Sequence, residues 1–167
     1  MEEVKCYMPQ TLAEALQIRK ETGAQPLAGG SDLMVANSRG AGIVPGFKKP
    51  ILIITNLPEL KGIRRLDDGT VEIGALSTSW EIHTSPVTHP LLKDAASRMG
   101  AIALRNSATI GGNIAENAGG LRGLKYGTTK DYVMGMEVFA NTGDLVKTGS
   151  RTVKCATGYN IAPLLVG

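Results

Sequence analysis

Cysteine and histidine are nearly missing from this chain of 167 residues, which has only Cys6, Cys155, His83 and His89. Two cysteines are too few for a disulfide framework or a cysteine-built metal centre, so a cytoplasmic protein with reduced thiols and no bound metal is expected. The two histidines flank a proline-broken helical stretch with no carboxylate or cysteine pattern beside them. Most histidine-based metal chemistry therefore lacks ligands, and no Ser-His-Asp arrangement can be drawn. No apolar run is long enough to cross a bilayer, and Met1-Glu2-Glu3 lacks the basic-then-apolar opening of a signal peptide. Blocks of like charge are also missing. The net charge of +3 is spread along the chain, so a nucleic-acid surface is not indicated. With 43% apolar and 20% charged residues the chain can bury a sizeable core. Its length fits one domain, or two small lobes sharing a core.

Glycine is the excess: 21 residues, nearly double average usage of about 7%, against only seven aromatics. The glycines follow no collagen period and gather in pairs within apolar surroundings. Residues 11–22 read as an amphipathic helix, with Thr11 and Glu14 in a capping-box pattern and Leu12, Ala15, Leu16 and the stem of Arg19 on one face. Gly23 supplies the stop. Pro26-Leu27-Ala28 then runs through Gly29-Gly30 into Ser31-Asp32-Leu33-Met34, a strand, a glycine turn and a helix with Ser31 or Asp32 as N-cap. Residues 51–55 and 71–75 are expected strands, the second after an Asp67-Asp68-Gly69 turn. Two helical pieces are expected between Ser77 and Met99, broken near Pro86 and Pro90. Leu91, Leu92, Ala95, Ala96 and Met99 form an apolar stripe. Ala108-Thr109-Ile110 leads into a second pair, Gly111-Gly112, and residues 136–147 read as a hairpin around Asn141-Thr142-Gly143-Asp144. A further strand is expected at 151–154. The order is mixed, which gives an α+β class.

A strand feeding a glycine pair and then a helix N-terminus aims several backbone N–H groups at one point, where the helix dipole adds positive charge. Such a turn holds a phosphate without a lysine. Two of them, at 28–33 and 109–114, can grip the two phosphates of a dinucleotide. Neither matches Gly-x-Gly-x-x-Gly or the Gly-x-x-x-x-Gly-Lys-Ser/Thr loop, so a Rossmann domain or phosphate-loop enzyme is disfavoured. A lone Gly-Gly beside a strand is most often a tight turn or a bulge. For a matched pair, the packing reading and the dinucleotide reading both stay open.

These segments carry a resemblance. Pro9-x-Thr11-Leu12-x-Glu14-Ala15, Leu27-Ala28-Gly29-Gly30-Ser31-Asp32-Leu33-Met34, Ile73-Gly74-Ala75-x-Ser77-Thr78 and Arg105-Asn106-x-Ala108-Thr109-Ile110-Gly111-Gly112-Asn113-Ile114 stand in an order and spacing that resemble the FAD-binding subunit of molybdenum hydroxylases, the xanthine and carbon monoxide dehydrogenase type, over residues 8–114. The resemblance implies a two-lobed α+β FAD-binding domain of the vanillyl-alcohol-oxidase/PCMH type, with lobes over 1–58 and 59–167. It implies that Leu27, Ala28, Gly29, Gly30, Ser31, Asp32, Leu33 and Met34 wrap the FAD pyrophosphate. Thr109, Ile110, Gly111, Gly112 and Asn113 would close over it, and Met99 would make an apolar contact to the cofactor. It further implies electron transfer from iron–sulfur centres to FAD and on to NAD or another acceptor, with a molybdenum-cofactor subunit and an iron–sulfur subunit as partners.

The pattern changes after Ile114. The hydroxylase subunits continue with Ser-Pro-x-x-Asp, whose aspartate contacts FAD, whereas this chain reads Glu116-Asn117-Ala118-Gly119-Gly120-Leu121-Arg122, with Arg122 at the aspartate's place. Residues 111–166 instead resemble the FAD domain of glycolate oxidase and D-lactate dehydrogenase type enzymes. That likeness is carried by Gly111-Gly112-Asn113-Ile114-Ala115-Glu116-Asn117-Ala118-Gly119-Gly120, Lys125-Tyr126-Gly127, Asp131-Tyr132-Val133-x-Gly135-x-Glu137-Val138, Thr148-Gly149-x-Arg151-Thr152-Val153-Lys154 and Gly158-Tyr159-Asn160. The two patterns join near 111–116, as a natural recombinant, a mis-assembled gene or an engineered chimera would. Both families carry a further C-terminal domain, which is expected to be absent here, and with it most substrate-binding residues of the oxidase type. The alternatives to the hydroxylase reading are therefore the flavin half of a 2-hydroxy-acid oxidoreductase and a non-catalytic module.

Other candidates carry blander readings. Glu116 faces either the cofactor or solvent. Arg122, Lys125, Lys130, Arg151 and Lys154 form a loose basic set that either opposes cofactor phosphates or is solvated. Tyr126 or Tyr159 packs on an isoalloxazine ring or in the core, and Trp80 is expected in the core. A Gly30→Val or Gly112→Val substitution is expected to abolish FAD binding, because a β-branched side chain would fill the phosphate's place. Unchanged flavin occupancy in both folded variants, read from the visible spectrum after desalting, would contradict the two-turn arrangement.

Overall fold

The computed structural model describes residues 4–37, 46–150, 152, 156 and 158–167. The chain divides into two compact units, Met1–Gly112 and Asn113–Gly167.

The first unit opens with β1 (Cys6–Tyr7), α1 (Leu12–Thr22), β2 (Gln25–Leu27), α2 (Leu33–Asn37) and β3 (Ile51–Ile53). The strands form a parallel sheet in the order β1-β3-β2, with Ile51 in register with both Cys6 and Gln25. Parallel strands need a crossover, and α1 provides it between β1 and β2. The central strand is buried at Ile51 and Leu52 because helix and loop cover it. The core is Ala15, Ala24, Leu52, Leu57 and Leu76, with Leu12, Ile18, Ala28, Ile54 and Leu60 packed on it. Burying a leucine fully contributes roughly 1.5–3 kcal/mol, so this cluster dominates the stability of the unit.

The α1 boundaries follow the sequence reading. The Glu14 N–H donates to Thr11 Oγ1 at 3.2 Å, and Gly23 takes a left-handed φ of 65° while its N–H reaches the Arg19 carbonyl. Glu14 Oε2, however, accepts from the Gln10 N–H at 2.8 Å instead of from Thr11. A further N-terminal donor, Leu12 N–H, is taken by Glu59 Oε1 at 3.0 Å, from a residue 47 positions away. Glu59 belongs to a single 3-10 turn, Pro58–Leu60.

Next comes an antiparallel hairpin, β4 (Ile63–Arg65) and β5 (Val71–Ile73), turned at Gly69 with φ 81°. The short helices α3 (Ser79–Thr84), α4 (Pro90–Ser97) and α5 (Ile102–Ser107) follow, and α6 (Ile110–Ala115) crosses the division between the units. Thr78 caps α3 in a reciprocal box with Glu81. His89 caps α4, its Nδ1 accepting from the Leu91 N–H at 3.2 Å. His83 Nδ1 lies 3.2 Å from the Lys93 carbonyl, so both histidines are spent on local structure. Two expectations fail here. Trp80 is 46% exposed and leans on His83, and of the α4 stripe only Ala96 is buried, with Leu91 76% exposed. Helices α3 and α4 are one or two turns long, and one buried apolar residue seats each, Ile82 and Ala96.

The second unit holds α7 (Gly123–Tyr126), α8 (Thr129–Tyr132) and the antiparallel hairpin β6 (Gly135–Phe139) and β7 (Leu145–Gly149), close to the expected one. A Cβ on Gly135 or Gly149 would strike the facing strand, which explains why this pair, facing each other at the end of the ladder away from the turn, is glycine in both strands. Among the described residues of this unit the buried apolar ones are Ala162 and Val166, while Leu121, Leu124 and Tyr159 are fully exposed. The strand expected at 151–154 lies outside the described residues except for Thr152, which is a bend.

The Glu59 carboxyl is held below its ordinary value, chiefly by the Leu12 N–H. A depressed pKa means that its contribution is complete above the ordinary glutamate value, about 4.3, and is lost as pH falls through the folded value. Thermal melts of Glu59→Gln are thus expected to start lower than those of the parent at neutral pH and to converge with them in acid. Parallel pH profiles would show that Glu59 does not cap α1.

Candidate functional site

The two glycine pairs lie in different local structures. At the first, Gly30 has a left-handed φ of 69°, and its carbonyl accepts from Met34 N–H at 3.0 Å, opening α2 directly after Asp32. Among the described residues, no protein acceptor is found for the N–H groups of Gly29, Gly30, Ser31 or Asp32. Gly29 and Asp32 are exposed, and Gly30 and Ser31 are half-buried. These are four consecutive amides, next to a left-handed glycine, with no acceptor among the described residues, a feature that backbone anion sites share. Leu27 and Leu33 are half-buried, with Leu27 Cδ1 and Met34 Cγ backing Gly30.

At the second pair the glycines are inside α6 and not in a turn before it. The backbone before them pairs with the segment after β5. Ser79 N–H donates to the Ala108 carbonyl at 3.2 Å, Ile110 N–H to Ser77 at 2.9 Å and Gly111 N–H to Ala75 at 2.9 Å, around a Thr78–Thr109 bridge. Gly112 N–H is 3.2 Å from Thr109 Oγ1. The amides of 110–112 are therefore already engaged, which differs from the matched pair of open turns expected from the sequence. What stays open is the Gly112 Cα edge, which is exposed and has only Thr109 Oγ1 nearby. Thr109 itself is 6% exposed. Asn113 begins the second unit, where its Oδ1 accepts from Thr129 Oγ1 at 2.9 Å.

The two segments meet through backbone. A Cβ on Gly29 would fall on the Ser107 carbonyl and lie 3.5 Å from the Ala108 nitrogen. Gly111 is similarly closed, since its Cβ would sit 2.8 Å from the Ala75 carbonyl oxygen. Met99 is half-buried at the corner between α4 and α5, with its Sδ 3.8 Å from Ser79 Oγ. Arg105 donates to the carbonyls of that corner, at 2.6 Å to Gly100 and 3.4 Å to Met99. Composition and periodicity gave Arg105 and Ser79 no role, because both act through backbone and thioether contacts that only the folded chain reveals.

The unpaired amides are donors of the kind that a pyrophosphate takes, and the bare Gly112 edge leaves room for a ligand to come close. In the second unit, Glu116, Arg122, Lys125 and Lys130 are exposed side chains, and Tyr126 and Tyr159 are 53% and 99% exposed, so neither tyrosine is core. Arg151 and Lys154 lie outside the described residues. Among the described residues no group of three or more His, Cys, Asp or Glu could hold a metal, and no helix is long and apolar enough to cross a membrane. Cys6 is free and exposed, and Cys155 is outside the described residues.

A family model described as the FAD binding domain in molybdopterin dehydrogenase matches residues 2–136. The nicotinate dehydrogenase FAD-subunit of Eubacterium barkeri is 32% identical over 157 residues, 89% of this chain and 50% of that protein. The glycolate oxidase subunit GlcD of Bacillus subtilis is 57% identical over 60 residues, 36% of this chain and 13% of that protein. Among solved structures, carbon monoxide dehydrogenase from Hydrogenophaga pseudoflava matches 69% of this chain and 40% of its own, with a TM-score of 0.60 and 31% identity. Reconstituted CO dehydrogenase from Oligotropha carboxidovorans matches 87% and 50%, with a TM-score of 0.67 at 22% identity, a likeness of fold. This chain spans half or less of each of these relatives.

The glycines separate by what occupies their missing side chains. Gly29→Ala drives a methyl into a backbone carbonyl and is expected to cost more than about 2 kcal/mol, the upper range of overpacking. Gly112→Ala needs only a small shift of the Thr109 hydroxyl and gains up to about 1 kcal/mol of helix propensity. Urea denaturation midpoints of the two variants, measured without ligand, check this ordering.

Proposed function

The chain belongs to the family of FAD binding domains in molybdopterin dehydrogenase, and we propose that it is the FAD-binding part of the electron-transfer component of a molybdenum hydroxylase. FAD is the cofactor of this family. In the proposal, lobes over 1–58 and 59–167 hold FAD, and electrons pass from iron–sulfur centres through it to NAD or another acceptor. A molybdenum-cofactor subunit and an iron–sulfur subunit are the partners, in the cytoplasm. The chain has only two cysteines, and among the described residues no group of His, Cys, Asp or Glu could hold a metal for those steps.

The observation that carries the reading is the run of four unpaired amides at 29–32. They would hold the pyrophosphate, flanked by Leu27, Ala28, Leu33 and Met34. Gly112, beside Thr109, would admit the group closely, while Ile110, Gly111 and Asn113 set the second segment's backbone. Met99 would supply an apolar contact. When bound, FAD supplies the redox chemistry, and the protein supplies binding and orientation.

The 57% identity to a glycolate oxidase subunit over 60 residues supports a second reading, the flavin part of a 2-hydroxy-acid oxidoreductase. Both readings require FAD. The purified chain, incubated with FAD and desalted, is expected to keep flavin absorption, and the released flavin is expected to be FAD. Bleaching by NADH favours the first reading, and bleaching by glycolate or D-lactate favours the second. A folded, colourless protein would mean a non-catalytic module and would overturn both.

A further inference from the structure

Helix α5 is held in an unusual way. It has no buried residue, its Ala101 N-cap offers no capping side chain, and Ile102 is 65% exposed. Apolar burial and side-chain capping, the two common anchors of a short helix, are both weak here. Yet its position matters at both ends. The Ser107 carbonyl at its C-terminal end presses on Gly29, and its N-terminal end turns out of the Met99–Gly100 corner. That corner is tight. Gly100 has φ 51°, and a Cβ there would collide with Leu104 Cδ2.

We propose that Arg105 is a positioning residue for the cofactor site, locking α5 as a strut between the Met99 corner and the 29–32 amides. This rests on the FAD-binding reading above. Arg105 is half-buried as a residue and makes no ion pair among the described residues. Its Nη1 instead donates to the carbonyls of Gly100 and Met99. A charge-assisted donor shared by two carbonyls fixes the corner more firmly than a neutral one would. Ser79 Oγ reaches the Met99 sulfur from α3, so the corner is tied on a second side. Arg105 touches no cofactor in this scheme and acts through Met99 and through the Ser107–Gly29 contact.

The test compares Arg105→Gln and Arg105→Lys with the parent chain, measuring FAD affinity by flavin fluorescence quenching and the visible circular dichroism of bound flavin. ADP affinity is measured alongside. Arg105→Gln is expected to bind FAD about tenfold more weakly, the loss of one charge-assisted hydrogen bond, and to bind ADP more weakly too, because the amide turn loses its support. At saturating FAD its flavin dichroism should differ from the parent's, a change that simple loss of stability would not produce. Arg105→Lys keeps the charge but not the planar fork and should recover part of the affinity. If Arg105→Gln does not fold, the Lys variant carries the test alone. Parent-like FAD affinity and dichroism in a folded variant would overturn the positioning role and leave the FAD reading standing. A parent chain that takes up no FAD would overturn both.

Discussion

Everything in the first unit's candidate site depends on a short stretch of backbone pairing, in which residues 108–111 spend their hydrogen bonds on 75–79. The pairing seats the start of α6 and occupies the amides of Ile110 and Gly111. It also leaves the Gly112 edge uncovered and holds Ser107 and Ala108 where the Gly29 backbone can lie against them. Without it the first glycine turn would have no neighbour to shape it. Backbone hydrogen bonds are obligatory when buried, so this small ladder is a rigid reference against which the looser 29–32 turn is placed.

The site that results is asymmetric. One segment presents amides that have no acceptor among the described residues, and the other presents the uncovered edge of Gly112. In the proposed reading an anion would gain from the first by direct donation and from the second by closeness.

The sequence made α1 and both its ends legible to within one residue, since Thr11 and Gly23 are local signals for local hydrogen bonds, although the Glu14 carboxylate turned to Gln10. It also pointed to both glycine pairs, but with a single explanation for two different situations. Gly111 and Gly112 looked like a turn because nothing in their neighbourhood announces that the carbonyls of Ala75 and Ser77 will take the preceding amides. Strand β4 escaped notice because Ile63-Arg64-Arg65 carries one apolar residue and acquires its conformation from Val71–Ile73. Trp80 was misjudged for a related reason: a helix of six residues can be seated by Ile82 alone, leaving a large aromatic outside. Glu59, Ser79 and Arg105 matter through partners that chain spacing does not indicate.

The Gly29 contact has a consequence for how such chains change over generations. Its glycine is demanded by a carbonyl within the same unit, so selection for folding alone would keep it even in a descendant that had stopped using a cofactor. Gly112 is under no such demand, and helix propensity would favour its replacement by alanine as soon as the ligand ceased to matter. Among copies of this fold drifting away from flavin chemistry, the second glycine would be the first to go, and the first would persist as a relic of architecture.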